Sequence, residues 1–393
     1  MDPEVPAGMG GFFQGLLGDL LKLLRTDSPF QWELALQLAL SVASEGAEDG
    51  NVDPVERMRF EELTHLAELH VADVAGISPA SGRLEVHPVG RAEWARRSLL
   101  AWRPLLERLA AALNRRAAPP PAPEAEGELS ALLGLWAETI APAMIAMQIG
   151  SLVGHLAQRA LGQYDLPLPR PGNELLAVPQ NVRSFCADWS LPIDDTVVWL
   201  AVRDVAAHAV WSRPHVRERL ETLLLERAGS FAPDPGAFES HLSQLGDAGD
   251  LPALTRLLGD PAMLGRLVDS AELRRVDAEL SALAAVAGGF VEWVTDTVAR
   301  RVVGTRLPIR EAMRRRRVEH DDASRGAEAL LGLRLDQATL DRGEAFVRGV
   351  LERGGEEELA LLWRSATSLP TPAEVEAPGL WIERIHLPDP GAD

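Results

Sequence analysis

Apolar residues recur three and four positions apart along most of this chain, a period that builds helices and leaves little room for sheet. Trp32, Leu36, Ala39 and Leu40 open the pattern. Asp53-Pro54-Val55-Glu56 then reads as a helix start, with Asp53 accepting an orphan N–H, Pro54 where no N–H is needed and Glu56 completing a capping box, so a helix is predicted to about Asp73. A third helix is predicted over Arg91–Asn114, kinked or broken at Pro104. Further helices are predicted at Asp194–Trp211, Val216–Arg227, Leu251–Leu258, Pro261–Leu267, Ala271–Arg301, Ile309–Arg317, Gly326–Leu331 and Asp336–Arg353. Leu175–Val178 alone reads as a short apolar strand. The expected fold is mainly α, a multi-helical body with at most a short β element.

Proline divides the pattern. Ala117–Glu128 is too rich in Pro, Ala and Glu to bury a core and reads as an extended linker, giving an N-terminal helical region over 1–116, a linker over 117–128 and a main helical domain over 129–393. Leu129–Leu161 carries only Glu138 and Arg159 as formal charges. A membrane span and a buried helix share that signature, but Pro142, Gln148, Ser151 and His155 interrupt it and no basic cluster orients it, which favours the buried helix. Ala146, Gly150 and Gly154 make one smooth face for close helix packing. Asp165–Gly172 is a proline-rich turn, and the segment beyond Pro370 is expected to wrap over the body. Phe12–Leu24 reads as a surface amphipathic helix without the features of a signal peptide.

The formal net charge of −19 repels phosphate backbones and anionic lipid, so nucleic acid is excluded as a main partner and a membrane surface is disfavoured. Cys186 is the sole cysteine, which rules out an intrachain disulfide or a Cys-based zinc site and fits a reducing cytoplasm. Lys22 is the sole lysine, so the positive charge is almost all arginine. Glycine loops for phosphate or dinucleotide and the G-x-S-x-G elbow are missing. Glu62/His65 and Glu383/His386 have di-iron spacing but lack the bridging glutamates such a site needs. Arg314–Arg317, followed by Glu319, Asp321 and Asp322, reads as a solvated helix end.

The segments 147–169, 175–182, Gly289-Phe-Val-Glu292-Trp-Val-Thr-Asp296, Leu330–Leu333 and Leu369–Pro378 carry more information together than apart. In their order and spacing they resemble the zinc-dependent, zincin-like metallopeptidases, a family of assigned hydrolases that includes proteins linked to deazaflavin-cofactor biosynthesis. The resemblance covers most of the chain and implies a zincin-like helical body. In zincins an H-E-x-x-H helix supplies two zinc ligands and a general base, and a downstream helix supplies a third ligand. Laid on this chain without gaps, the first His falls on Arg203, the Glu on Asp204, the second His on Ala207 and the downstream Glu on Gly288.

None of Arg203, Ala207 and Gly288 can donate a lone pair to zinc. Glu292 and Asp296 keep family-like acids, and a register slipped by one would pair Asp204 with His208. Arg203 is therefore expected either to stand where the cation stood, paired with Glu292, Asp296 or Asp204, or to form an ordinary helix-surface pair beside a buried His208. Two function classes stay open. One is a non-catalytic pseudoenzyme without zinc or other cofactor, binding a peptide or protein in the inherited cleft. The other is an active hydrolase or peptidase with an atypical metal or a metal-free site around Asp204 and His208, with Asp204, His208 and Glu292 as the catalytic candidates.

Overall fold

The computed structural model describes residues 30–45, 50–78, 82–117, 141–230, 270–304, 308–318, 326 and 330–387. Helix takes up 79% of them in twelve α-helices, alongside one two-stranded parallel sheet, so the protein is mainly α. The helix predicted at Phe12–Leu24, the linker beyond Ala117 and the two short helices predicted between Leu251 and Leu267 lie outside the described residues.

The N-terminal helices are α1 (Trp32–Ser44), α2 (Pro54–Ala75) and α3 (Arg91–Ala117), followed by α4 (Ala141–Arg159). Asp53 caps α2 by accepting from the Val55 N–H at 2.8 Å. The expected capping box does not form, because the Glu56 carboxylate reaches Arg183 instead, at 2.5 Å. Helix α3 runs unbroken through Pro104. Arg103 and Pro104 lie on its exposed face, where water can satisfy the carbonyl that proline leaves unpaired. Helix α4 meets α1 through its small-residue face: a Cβ on Gly150 would stand 2.5 Å from the Ala35 carbonyl oxygen. Ala146, Ile149, Val153 and Ala157 are buried in the main core, as the buried-helix reading of this segment expects.

Two core helices carry the rest. From Trp199 to Trp211 every residue of α6 (Ile193–Trp211) is buried, and α8 (Ala271–Val302) is buried along most of its length. Helices apolar on all sides belong in the interior of a large domain. By length and composition α8 is the one described helix that could cross a membrane, and 78% of its apolar window is buried within the molecule. Helices α7 (Pro214–Ser230), α9 (Pro308–Val318) and α10 (Gln337–Ala360) surround this pair. Helix α10 lies directly on α8, where Gly289 and Gly343 face each other with no room for a Cβ on either.

A strand and a helix within the body have no counterpart among the predicted elements. Strand β1 (Glu85–Pro88) pairs in parallel with β2 (Glu174–Ala177), from Glu85 opposite Glu174 to Pro88 opposite Ala177. At four residues β1 is too short to show alternation, and its partner lies far along the chain. Helix α5 (Pro179–Trp189) had a readable signal in Pro179 at its first turn and the spacing of Val182, Phe185 and Cys186, all buried. Helices α11 (Pro372–Glu376) and α12 (Pro378–Ile385) close the described chain over α10. Trp381 is fully buried there and donates its indole N–H to the Ser368 carbonyl at 2.7 Å.

Candidate functional site

A cavity of about 200 Å³ lies between α6 and α8, lined also by residues of α4, α9, α10 and the 3-10 turn Gln163–Asp165. Helical period decides what faces it. Arg203, Ala207 and Trp211 recur every four residues along α6 and line the cavity, as do Ala284, Gly288 and Glu292 along α8. Asp204 and His208 each follow one residue later, a rotation of roughly 100° about the helix axis, and neither lines this cavity.

Two ion pairs bring opposite charges together in the cavity wall. Arg203 donates to Asp165 Oδ1 at 2.7 Å, and its guanidinium lies 3.5 Å from the Asp204 carboxylate. Burial alone would raise Asp165, but Arg203 and Arg316 outweigh it and, with the Leu161 N–H, hold its carboxyl down to about 2. Glu292, 4% exposed, is bonded to Arg317. Arg203 therefore points inward to acids, but its direct partner is Asp165, which the sequence reading treated only as the start of a proline-rich turn. Arg316 also lines the cavity, donating to the Arg159 carbonyl with its guanidinium 5.5 Å from the Phe185 ring. Met313, Arg316 and Arg317 sit three and four apart on the inward face of α9, so half of the run read as a solvated helix end is turned into the molecule. Arg315 alone keeps a local surface pair, with Glu311, while Arg314 reaches across to Asp341. Glu319, Asp321 and Asp322 lie outside the described residues.

The turn that presents Asp165 is pinned from several sides. Trp94 donates to the Gly162 carbonyl at 3.1 Å, Arg170 to the Gln163 side chain at 3.0 Å, and Asn181 to the carbonyls of Ala157 and Ala160 at the end of α4. Asp204 works on the same turn, its Oδ2 accepting from the Gln163 N–H at 2.7 Å. Its carboxylate packs so closely on Gly162 that a Cβ there would run into it. His208 Nδ1 is 2.9 Å from the Tyr164 hydroxyl, and burial pushes this imidazole down to about 4. Asp204 and His208 thus anchor the turn from behind the cavity and do not form a ligand pair within it. Asp296 is also outside the cavity wall, paired with Arg310 at 2.5 Å.

Burial, reinforced by the charge of Asp165, lifts Asp204 to about 6 against the opposing pull of Arg203 and the N–H groups of Gln163 and Tyr164. The folded value lies above the unfolded one, so the stability Asp204 contributes is present at pH 4 and lost as pH rises through about 6. Asp204→Asn removes that titration while keeping an acceptor for Gln163. Relative to wild type, the variant is expected to gain stability on the order of 2 kcal/mol between pH 4 and pH 6. Urea denaturation across that range checks it, and a difference between the two proteins that does not change with pH refutes it. His208 has the opposite sign, since its unfolded form binds the extra proton and stability falls as pH drops toward 4.

The cavity walls do not fit a zinc ion. Of the positions carried over from the zincin pattern, Arg203, Ala207 and Gly288 line the cavity without a donor lone pair, and Leu340 stands 2.5 Å from where a Gly288 Cβ would be. Among the described residues no group of three or more His, Cys, Asp or Glu side chains could hold a metal ion. The two Glu-x-x-His pairs are also not sites: His65 pairs with Glu68 at 3.3 Å and His386 with Glu358 at 2.7 Å, both at the surface.

A large helical body with a charged cavity between two core helices defines the class of protein, and one solved structure shares the architecture. It is a candidate hydrolase with a novel fold from Chloroflexus aurantiacus, similar over 92% of this chain and 100% of its own, with a TM-score of 0.62 at 22% identity. The family model for zincin-like metallopeptidases matches residues 30–382, and the chain belongs to that family. No curated protein matches it.

Proposed function

We propose that this family member holds no zinc and uses the cavity between α6 and α8 for binding, as a non-catalytic binding or scaffold protein. The observation that carries this reading is the Arg203–Asp165 pair. A permanent cation is anchored at 2.7 Å where the family pattern calls for a metal ligand, and guanidinium does not deprotonate to make room for a second cation. Leu340 over Gly288 supports it from the other side, filling the space a third ligand would need. At about 200 Å³ the cavity is smaller than the roughly 300–1,000 Å³ of drug-sized sites. It suits one side chain or one chain end of a peptide or protein, more than a whole substrate.

Elemental analysis of protein expressed with added zinc is expected to find far less than one ion per chain. As a positive control, Arg203→His, Asp204→Glu, Ala207→His and Gly288→Glu combined with Leu340→Ala is expected to take up zinc. One tightly bound zinc per wild-type chain, or peptidase activity abolished by a chelator, would overturn the reading.

A further inference from the structure

The chain is strongly acidic, at −19, yet the wall of this cavity is not. Among the described residues five arginines line it, Arg159, Arg203, Arg316, Arg317 and Arg334, against three acids, Asp165, Glu292 and Asp336. The acids are engaged: Asp165 holds Arg203, Glu292 holds Arg317, and Asp336 caps α10 by accepting from the Thr339 N–H at 2.8 Å. Arg316 makes no ion pair with any of them. Its Nη2 donates to a backbone carbonyl, and its Nη1 is buried without an acceptor. Asp165 acts on this guanidinium through its charge, but Arg316 lacks the direct ion pair that normally offsets burial. Burial, joined by the neighbouring charges of Arg159, Arg203 and Arg317, brings Arg316 down to about 10, with Asp165 alone opposing. Apart from Tyr164 and Thr339 the remaining wall is apolar, with Leu156, Leu166, Trp211, Met313 and Leu340 around the charges.

We infer that the cavity binds an oxyanion, a carboxylate or phosphate, carried on a small apolar stem, with Arg316 as the cation that receives it. A carboxylate or phosphate offers two oxygens to the planar fork of arginine, and such charge-assisted bonds are roughly twice as strong as neutral ones. The apolar wall gives the stem somewhere to leave water, as in ligand sites generally. The inference rests on the metal-free reading of the cavity and adds the chemistry of its ligand.

The test is calorimetric titration of the full-length protein with three probes: N-acetyl-leucine, its uncharged amide and inorganic phosphate. N-acetyl-leucine is expected to bind saturably and the amide at least about tenfold more weakly, a gap of 1.4 kcal/mol. Arg316→Gln is expected to remove that preference for the acid, and Arg316→Lys to keep part of it. The comparison of acid with amide needs only wild-type protein, so it stands even where a variant fails to fold. Equal binding of acid and amide, no binding of either, or a preference unchanged in a folded Arg316→Gln protein overturns the inference. Inorganic phosphate binding as tightly as the acid overturns the apolar stem. Bound zinc would instead defeat the metal-free reading itself, so the two failures are distinguishable by elemental analysis of the same sample.

Discussion

Arg203→Ala is expected to lower the stability of this protein by about 3–5 kcal/mol, the usual result of removing one partner of a buried ion pair. The arginine is 6% exposed and lies between Asp165 at 2.7 Å and Asp204 at 3.5 Å. Truncation leaves two desolvated carboxylates facing each other, with the charge of Asp165 already helping to raise Asp204. The loss is expected to be smaller below about pH 6, where Asp204 takes up a proton and the repulsion falls. Asp165→Asn is expected to be milder, because the amide oxygen can still accept from the Leu161 N–H and from the Gly162 N–H at 3.2 Å. Equilibrium unfolding at pH 5 and pH 7.5 measures both. An Arg203→Ala protein within about 1 kcal/mol of wild type at neutral pH would mean that the pair is a solvated contact of the kind surface ion pairs make.

Gly343→Ala is expected to be comparably damaging, by about 3 kcal/mol or more, the upper part of the range for overpacking because the obstacle is backbone. A Cβ at Gly343 would run into the carbonyl of Ala285, and Gly289 on α8 meets the backbone of α10 at the same crossing. Neither contact can be relieved by turning a side chain, so the two helices have to separate. The consequence reaches the cavity, since the same crossing sets Leu340 over Gly288 and Thr339 in the cavity wall. Trp211 lines that cavity and Trp293 follows the cavity-lining Glu292 on α8, so the variant is expected to show altered tryptophan emission in its folded state as well as a lower midpoint of thermal unfolding. Leu340→Ala, which clears space without moving backbone, is expected to leave the emission of the folded state nearer to wild type. Unchanged stability in Gly343→Ala would show that the α8–α10 contact is looser than its geometry implies.

The sequence was most legible where structure is local. The spacing of Trp32, Leu36, Ala39 and Leu40, the cap at Asp53 and the small face of Ala146, Gly150 and Gly154 each lie within a few turns of one helix, and each corresponds to an element observed here. Strand β1 was illegible because its pairing with β2 is the whole of its stability, and its four residues carry no period of their own. The arginines of α9 misled for a related reason. Arg314–Arg317 is one basic run in the text, but a helix sends consecutive side chains about 100° apart, and here two of the four point at the cavity. Met313 beside them, with the spacing 313, 316 and 317, is the signal that could have exposed the inward face.

The sequence alone therefore determined the helical class of this protein, its family and the plain chemical fact that arginine, alanine and glycine at 203, 207 and 288 offer no lone pair to zinc. Those are properties of residue type and of neighbours three and four apart. Only the tertiary structure decided that Arg203 turns to Asp165, 38 residues away, while Glu292 goes to Arg317, that Asp204 and His208 secure a turn, and that Leu340 stands over Gly288. Which of several acids a buried cation takes depends on distance and desolvation between elements remote in the chain, and a one-dimensional pattern contains neither.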